Sequence, residues 1–233
     1  MTTIPYRTAL IVGAGSGISA AVARTLAASG IALGLAARNV EKLATLAAET
    51  NAVCLAADAA RPESVAALFA TFEAKLGAPE VVLYNASGRL RGPLAELDPE
   101  AVRRSLEVTA FGGFLVAREA ARRMIPLRRG AILFTGASAS VKGFARSAPF
   151  AMGKFALRGL AESAARELAP LGIHVAHFVI DGAVTRDGEP DPPARPESTL
   201  DPEAIAGTYL AVLAQPRSAW SFAVELRPFV EPF

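Results

Sequence analysis

Only one of the 233 residues is a cysteine. Cys54 sits in an apolar run and has no second thiol in its own chain, so it reads as a small core residue in a reducing compartment. Histidine is nearly as scarce. His174 and His177 lie three apart on one expected strand, hence on opposite faces, and cannot share a metal ion from that strand. No Cys/His cluster exists elsewhere, so no metal centre is expected. An excess of one charge is missing as well: 24 Lys and Arg face 22 Asp and Glu, for a net charge of +2. No basic stretch dominates, so nucleic acid and anionic membrane surfaces are not indicated as partners. No apolar run approaches the roughly 18 residues that a membrane span needs. The sequence enters its first apolar run almost at once, without a basic and then hydrophobic leader, and a cytoplasmic location is the expectation.

What the chain does have is apolar residues, 52% of the total, in a pattern that alternates between two periods. Strands are expected at Ala9–Val12, Ile31–Ala36, Ala52–Ala56, Val81–Tyr84, Ala131–Thr135, His174–Ile180 and Ser221–Leu226. Helices are expected near Ile18–Ala28, Val40–Glu49, Pro62–Lys75, Pro99–Met124, Ala148–Leu168 and Pro202–Ala214. Pro62, Pro99 and Pro202 fall where a first helical turn tolerates proline. Short buried strands alternating with helices imply an α/β fold: a doubly wound, Rossmann-type parallel sheet of about seven strands with helices on both faces. Residues 1–233 are read as one dinucleotide-binding domain of ordinary size. The irregular segment 186–198, rich in proline and charge, is read either as a lid over a site or as a solvated connection.

The organising stretch is Thr8–Arg24, T-A-L-I-V-G-A-G-S-G-I-S-A-A-V-A-R. A strand, a glycine-rich turn with Gly13, Gly15 and Gly17, and a helix together make a phosphate site. Glycine lets the backbone turn sharply near the ligand, and the helix start offers unpaired N–H groups with partial positive charge. Such turns also serve chain reversal alone, so the signal needs support from downstream.

That support comes as a resemblance. The sequence resembles the short-chain dehydrogenase/reductase family over essentially its whole length. Where the family has T-G-x-x-x-G-x-G, this chain has Val12 through Ser19. Gly13 and Gly17 match, Val12 stands for the threonine and Ser19 for the last glycine, and Ile18 lies between. Ser16 and Ser19 are placed to donate to a pyrophosphate. The second strand ends Ala36-Ala37-Arg38-Asn39, without the acid that reads a ribose diol, and an arginine there suits a 2′-phosphate. NADP(H) is therefore expected over NAD(H). Asp58 matches the family's aspartate near the adenine, or is a turn residue. Asn85 and Ala86 in Tyr84-Asn85-Ala86-Ser87 match the family's N-N-A-G, where asparagine also ties strands together.

The catalytic positions depart from the family. Its Y-x-x-x-K motif reads Phe150-Ala151-Met152-Gly153-Lys154 here. Lys154 remains, and the resemblance assigns it to the nicotinamide ribose. Phenylalanine has no proton to give, so Phe150 is expected to line an apolar or aromatic substrate pocket. Ungapped counting puts Ala137 in the serine position, with Ser138 adjacent and Ser140 a weaker candidate. Thr109 takes the place of the helix asparagine that holds a relay water, and since threonine can bond its own backbone and bend the helix, a structural role is favoured there over a relay. The nicotinamide-contacting threonine aligns with Thr185, or with Arg186 after a one-residue shift, and Thr185 is preferred. Both histidines read first as core or edge residues, and His177 is kept as an alternative acid.

The resemblance implies an NADP(H)-dependent oxidoreductase reducing a carbonyl or imine-type small molecule through an eroded Ser-Tyr-Lys site. The alternative is a nucleotide-binding protein of this fold that is non-redox, isomerase- or cyclase-like, or inactive. It also implies a homodimer or homotetramer built on the two long helices, and the C-terminal run is read either as a last strand that reaches a neighbouring subunit, with Trp220 as an anchor, or as docking onto its own core.

Overall fold

The computed structural model describes residues 4–185, 192 and 194–231. Its centre is β1 (Thr8–Val12), whose last four residues are all buried because helices cover both faces of the sheet. The next elements are α1 (Ile18–Ala28), β2 (Ala32–Ala37), α2 (Ala44–Thr50), β3 (Val53–Ala56), α3 (Pro62–Leu76) and β4 (Val81–Tyr84). After them come α4 (Pro99–Leu106), α5 (Gly112–Leu127), β5 (Gly130–Thr135), α6 (Ala148–Leu168) and β6 (Ile173–Ile180). The short strands β7 (Ala183–Val184) and β8 (Thr199–Leu200), then α7 (Pro202–Leu213) and β9 (Ala223–Leu226), complete the order.

Seven strands form one parallel sheet in the order β3-β2-β1-β4-β5-β6-β9. The expected doubly wound fold is the observed one. Two apolar layers lie on its faces. One joins α1 and α7 through Leu26, Ile205 and Tyr209, and the other joins α3, α5 and α6 through Phe69, Val116 and Leu157. Burying each such side chain stabilises the fold by about 1.5–3 kcal/mol. The strand order reverses between β1 and β4, which opens a crevice at their carboxyl ends.

Helix starts follow their sequence signals. Asp98 accepts from the Glu100 and Ala101 N–H groups at the head of α4, and Asp201 accepts from Glu203 at the head of α7. The differences from expectation are local. The helix expected from Val40 begins with a 3₁₀ turn, Glu41–Leu43. The single helix expected over Pro99–Met124 contains a π turn at Glu107–Phe111, which separates α4 from α5. The Tyr84 hydroxyl donates to the Val108 carbonyl in that turn, and the Gly88 N–H donates to Thr109 Oγ1 at 2.8 Å. The first bond gives a helix carbonyl a donor from a neighbouring strand, and the second ties the Thr109 side chain to the loop after β4. The pair β7–β8 was not expected. Of segment 186–198, residues 186–191 and 193, including Arg186, lie outside the described residues.

Candidate functional site

Two adjoining cavities occupy the crevice. They share Asn85 and Ser87, and together they run from the end of β2 to the start of α6. The first, of about 560 Å³, includes Gly13, Ser16, Arg38, Asp58, Asn85 and Ala86.

Gly13 is fixed by geometry. Its φ is +83°, and a Cβ there would lie 2.4 Å from the Ala86 backbone nitrogen. The turn can therefore sit directly on the end of β4. Ser19 is fully buried and donates to the Gly13 carbonyl at 3.2 Å, while Asn85 Nδ2 donates to Ser19 Oγ at 2.6 Å. This corrects the reading of Ser19 as a pyrophosphate donor, because its hydroxyl holds the turn to β4. Ser16 is exposed and lines the cavity. Gly17, with φ +82°, precedes α1, and a Cβ on it would meet nothing within 4 Å. Ile18 lines the second cavity.

The donor set fits a dinucleotide. α1 starts without a side-chain cap, so its first N–H groups are available to an anion. At the far end stand two exposed cations, Arg38 and Lys42, of which Lys42 escaped the sequence reading. Its signal was its position in the turn just after β2, four residues beyond Arg38. Asp58 Oδ1 accepts from the Ala60 N–H at 3.0 Å, which is the turn role weighed for it.

The second cavity, of about 620 Å³, contains Phe150, Lys154 and Ser138. Lys154 is 3% exposed, and its Nζ donates to the Thr135 carbonyl at 2.7 Å. Burial pulls its pKa down to about 8. Two cations lie over the Phe150 ring, with Arg89 Cζ 5.5 Å and Lys154 Nζ 5.9 Å from its centroid. Ser140 is fully buried, and its Oγ accepts from the Ala137 N–H at 3.1 Å, so it serves the loop.

Asp181, which the sequence reading gave no role, lines the same cavity as Ser138, whose hydroxyl favours its charged form. Asp181 Oδ2 also accepts from Lys142 at 3.2 Å and Arg227 at 2.8 Å. Burial opposes the Asp181 charge, yet these hydrogen bonds and the charges of Lys142 and Arg227 hold its carboxyl below the usual range.

The placement gives Thr109 the structural role and His177 the buried position favoured for them, and it does not support the site roles considered for Thr109, Thr185 and His177. Thr109 is fully buried in the π turn, occupied by the Gly88 N–H, and lines neither cavity. Thr185 follows β7, and both its N–H and its Oγ1 donate to the Leu200 carbonyl, at 3.0 and 3.2 Å. It belongs to the β7–β8 pair and likewise lines neither cavity. His177 is fully buried beneath Gly136, and both ring nitrogens lack a partner. Burial, then the charges of Arg158 and Lys154, push its pKa down to about 4, so it is neutral near pH 7 and no acid for the cleft.

Residues 7–187 match the model of the short chain dehydrogenase family. The cis-4-hydroxycyclohexanecarboxylate dehydrogenase of Sinomonas cyclohexanicum is 34% identical over 174 residues, 72% of this chain and 70% of that one. Among solved structures, a short-chain dehydrogenase from Rhodopseudomonas palustris has a TM-score of 0.83 at 38% identity, covering 96% of this chain and 99% of its own. An alcohol dehydrogenase from the archaeon Thermococcus sibiricus, complexed with 5-hydroxy-NADP, has a TM-score of 0.87 at 25% identity, covering 97% and 98%.

Proposed function

The chain belongs to the short-chain dehydrogenase/reductase family of oxidoreductases, and from that premise we propose that it is an NADP(H)-dependent reductase of an apolar carbonyl or imine-type small molecule. One observation carries the reading. A continuous crevice joins an anion-accepting, doubly cationic end at Arg38 and Lys42 to an end walled by Phe150 and floored by Lys154. A dinucleotide carrying a 2′-phosphate matches the first end in charge and the whole crevice in extent. Lys154 would hold the nicotinamide ribose, and the bound cofactor supplies hydride.

The chain's own residues then position more than they titrate. Phe150 offers a flat apolar wall and no proton. Lys154 keeps one N–H on Thr135, lines the crevice, and has two further donors to offer a ribose. Ser138, held by Asp181, is the hydroxyl nearest the expected serine position, and it fits an orienting hydrogen bond to a carbonyl oxygen. With tyrosine absent, the substrate arrives protonated, as an iminium does, or takes its proton from water.

The exposed apolar residues Phe111, Phe114, Met152 and Phe155, on the π turn, α5 and α6, support a homodimer or homotetramer built on the long helices. We place this assembly in the cytoplasm, where the nicotinamide pool lies. Trp220 instead stacks on His174 of its own chain, with centroids 4.7 Å apart.

The test is a paired titration with NADPH and NADH, on wild type and on Arg38→Ala. NADPH should bind at least about tenfold more tightly, and the variant should lose most of that preference. Absence of binding by either nucleotide would sink the reductase reading. Binding without oxidation of NADPH by any ketone or imine would shift it to the non-redox alternative.

A further inference from the structure

The reductase reading leaves the charge at the Phe150 end unexplained. Four cations line that cavity, Arg89, Arg91, Lys142 and Lys154, against two acids, Asp181 and Glu231. Both acids are already engaged, Asp181 by Lys142 and Arg227, and Glu231 by Arg195 at 3.7 Å. That accounts for Lys142, Lys154 is buried on the Thr135 carbonyl, and the exposed Arg89 and Arg91 are left with no carboxylate partner among the described residues. Both are exposed, on the loop after β4.

They are also distinct from the cations at the nucleotide end. Arg38 and Lys42 line the other cavity, across the shared Asn85 and Ser87. Arg89 is more than a loose surface charge, because its guanidinium lies over the Phe150 ring. A guanidinium resting on a ring keeps its N–H edge free, and that planar fork matches the two oxygens of an anionic group. Phe150 and the half-exposed Phe144 supply apolar surface beside it.

We propose that the reductase substrate, on the reading above, is itself an anion: an aromatic or alicyclic carbonyl compound whose carboxylate or phosphate is held by Arg89 and Arg91. Its apolar body lies against Phe150 and Phe144. The phenylalanine at the position of the family's tyrosine thereby gains a role, as the platform that orients Arg89.

Three probes of one shape decide the matter: benzoate, phenyl phosphate and the neutral benzamide. Each is titrated calorimetrically into wild type, Arg89→Gln, Arg91→Gln and the distant control Arg61→Gln, with and without saturating NADPH. The proposal expects at least one anion to bind about tenfold more tightly than benzamide, with that margin lost in either site variant and kept in Arg61→Gln. Whichever anion shows the larger margin identifies the headgroup. Equal binding of anions and benzamide, no binding of any probe, or an unchanged margin in both site variants would overturn it. NADPH binding, measured in the same series, reports separately on the reductase reading. Intact NADPH binding with no anion margin refutes the substrate class alone.

Discussion

Lys154 provides a quantitative test of how the site is built. No carboxylate forms an ion pair with it among the described residues, and its Nζ has only the Thr135 carbonyl at 2.7 Å. Burial lowers its pKa from 10.5 to about 8, so at neutral pH the native protein holds a charge that the fold disfavours. The difference corresponds to about 3 kcal/mol of native-state stability. Lys154→Met keeps the length and removes the charge. It also strands the Thr135 carbonyl, at about 1 kcal/mol. The variant without ligand should therefore be about 2 kcal/mol more stable at pH 7, and should melt roughly 6 °C higher for a chain of this size.

The pH dependence gives a sharper signature. The folded-state pKa lies below the unfolded one, so between pH 8 and 10.5 the unfolded chain binds a proton that the native state has released. Wild-type stability must rise through that window relative to the variant, and the variant's advantage must vanish by its top. Urea denaturation of both proteins at intervals from pH 7 to 10.5 measures the difference directly. A constant difference, or a variant less stable than wild type at pH 7, would refute the account of Lys154 as a buried, electrostatically unpaired cation.

Two further outcomes follow from residues beside it. His177 has a native pKa of about 4 against an ordinary 6.5, so its contribution is intact above pH 6.5 and lost as pH falls toward 4. His177→Leu should flatten acid unfolding in that window by about 3 kcal/mol, measured by guanidinium titrations at both ends. Phe150→Tyr restores a hydroxyl in a wall that otherwise stays the same. NADPH-dependent reduction of a simple ketone should rise about a hundredfold, the low end for a positioned proton donor. No gain would show that the missing hydroxyl is not what limits ketone reduction.

Much of the fold was legible because its signals are local and redundant. Buried parallel strands such as Val81–Tyr84 need unbroken apolar runs, and Pro62, Pro99 and Pro202 mark helix starts wherever the chain packs. Gly13 was legible for the same reason, since one position demands a backbone that only glycine adopts freely. The misreadings came where distant chain segments decide. Nothing near Thr109 in sequence announces a π turn, because its cause is the Tyr84 hydroxyl and the Gly88 N–H arriving from another element. That turn leaves Thr109 engaged with Gly88 and outside the crevice. Thr185 was misplaced because β8, its partner, lies beyond an irregular segment with no periodicity to read. Arg89 and Arg91 were not singled out from the sequence. Their meaning depends on Phe150, some sixty residues away, and on acids already engaged elsewhere.

Arg227 grips Asp181 across 46 positions of sequence, and Pro228 packs so closely on Gly182 that a Cβ there would lie 2.8 Å from its ring. The segment after β9 is thus a buttress for the Phe150 end of the crevice, while the Arg38 end is built from the ends of β1 to β4 and the π turn. The two halves of the site answer to different parts of the chain. Damage to β9 or its sequel would leave a protein that still takes up its nucleotide but has lost the wall against which a substrate is aligned. Variation there can retune what is bound beside the nucleotide without disturbing the nucleotide itself.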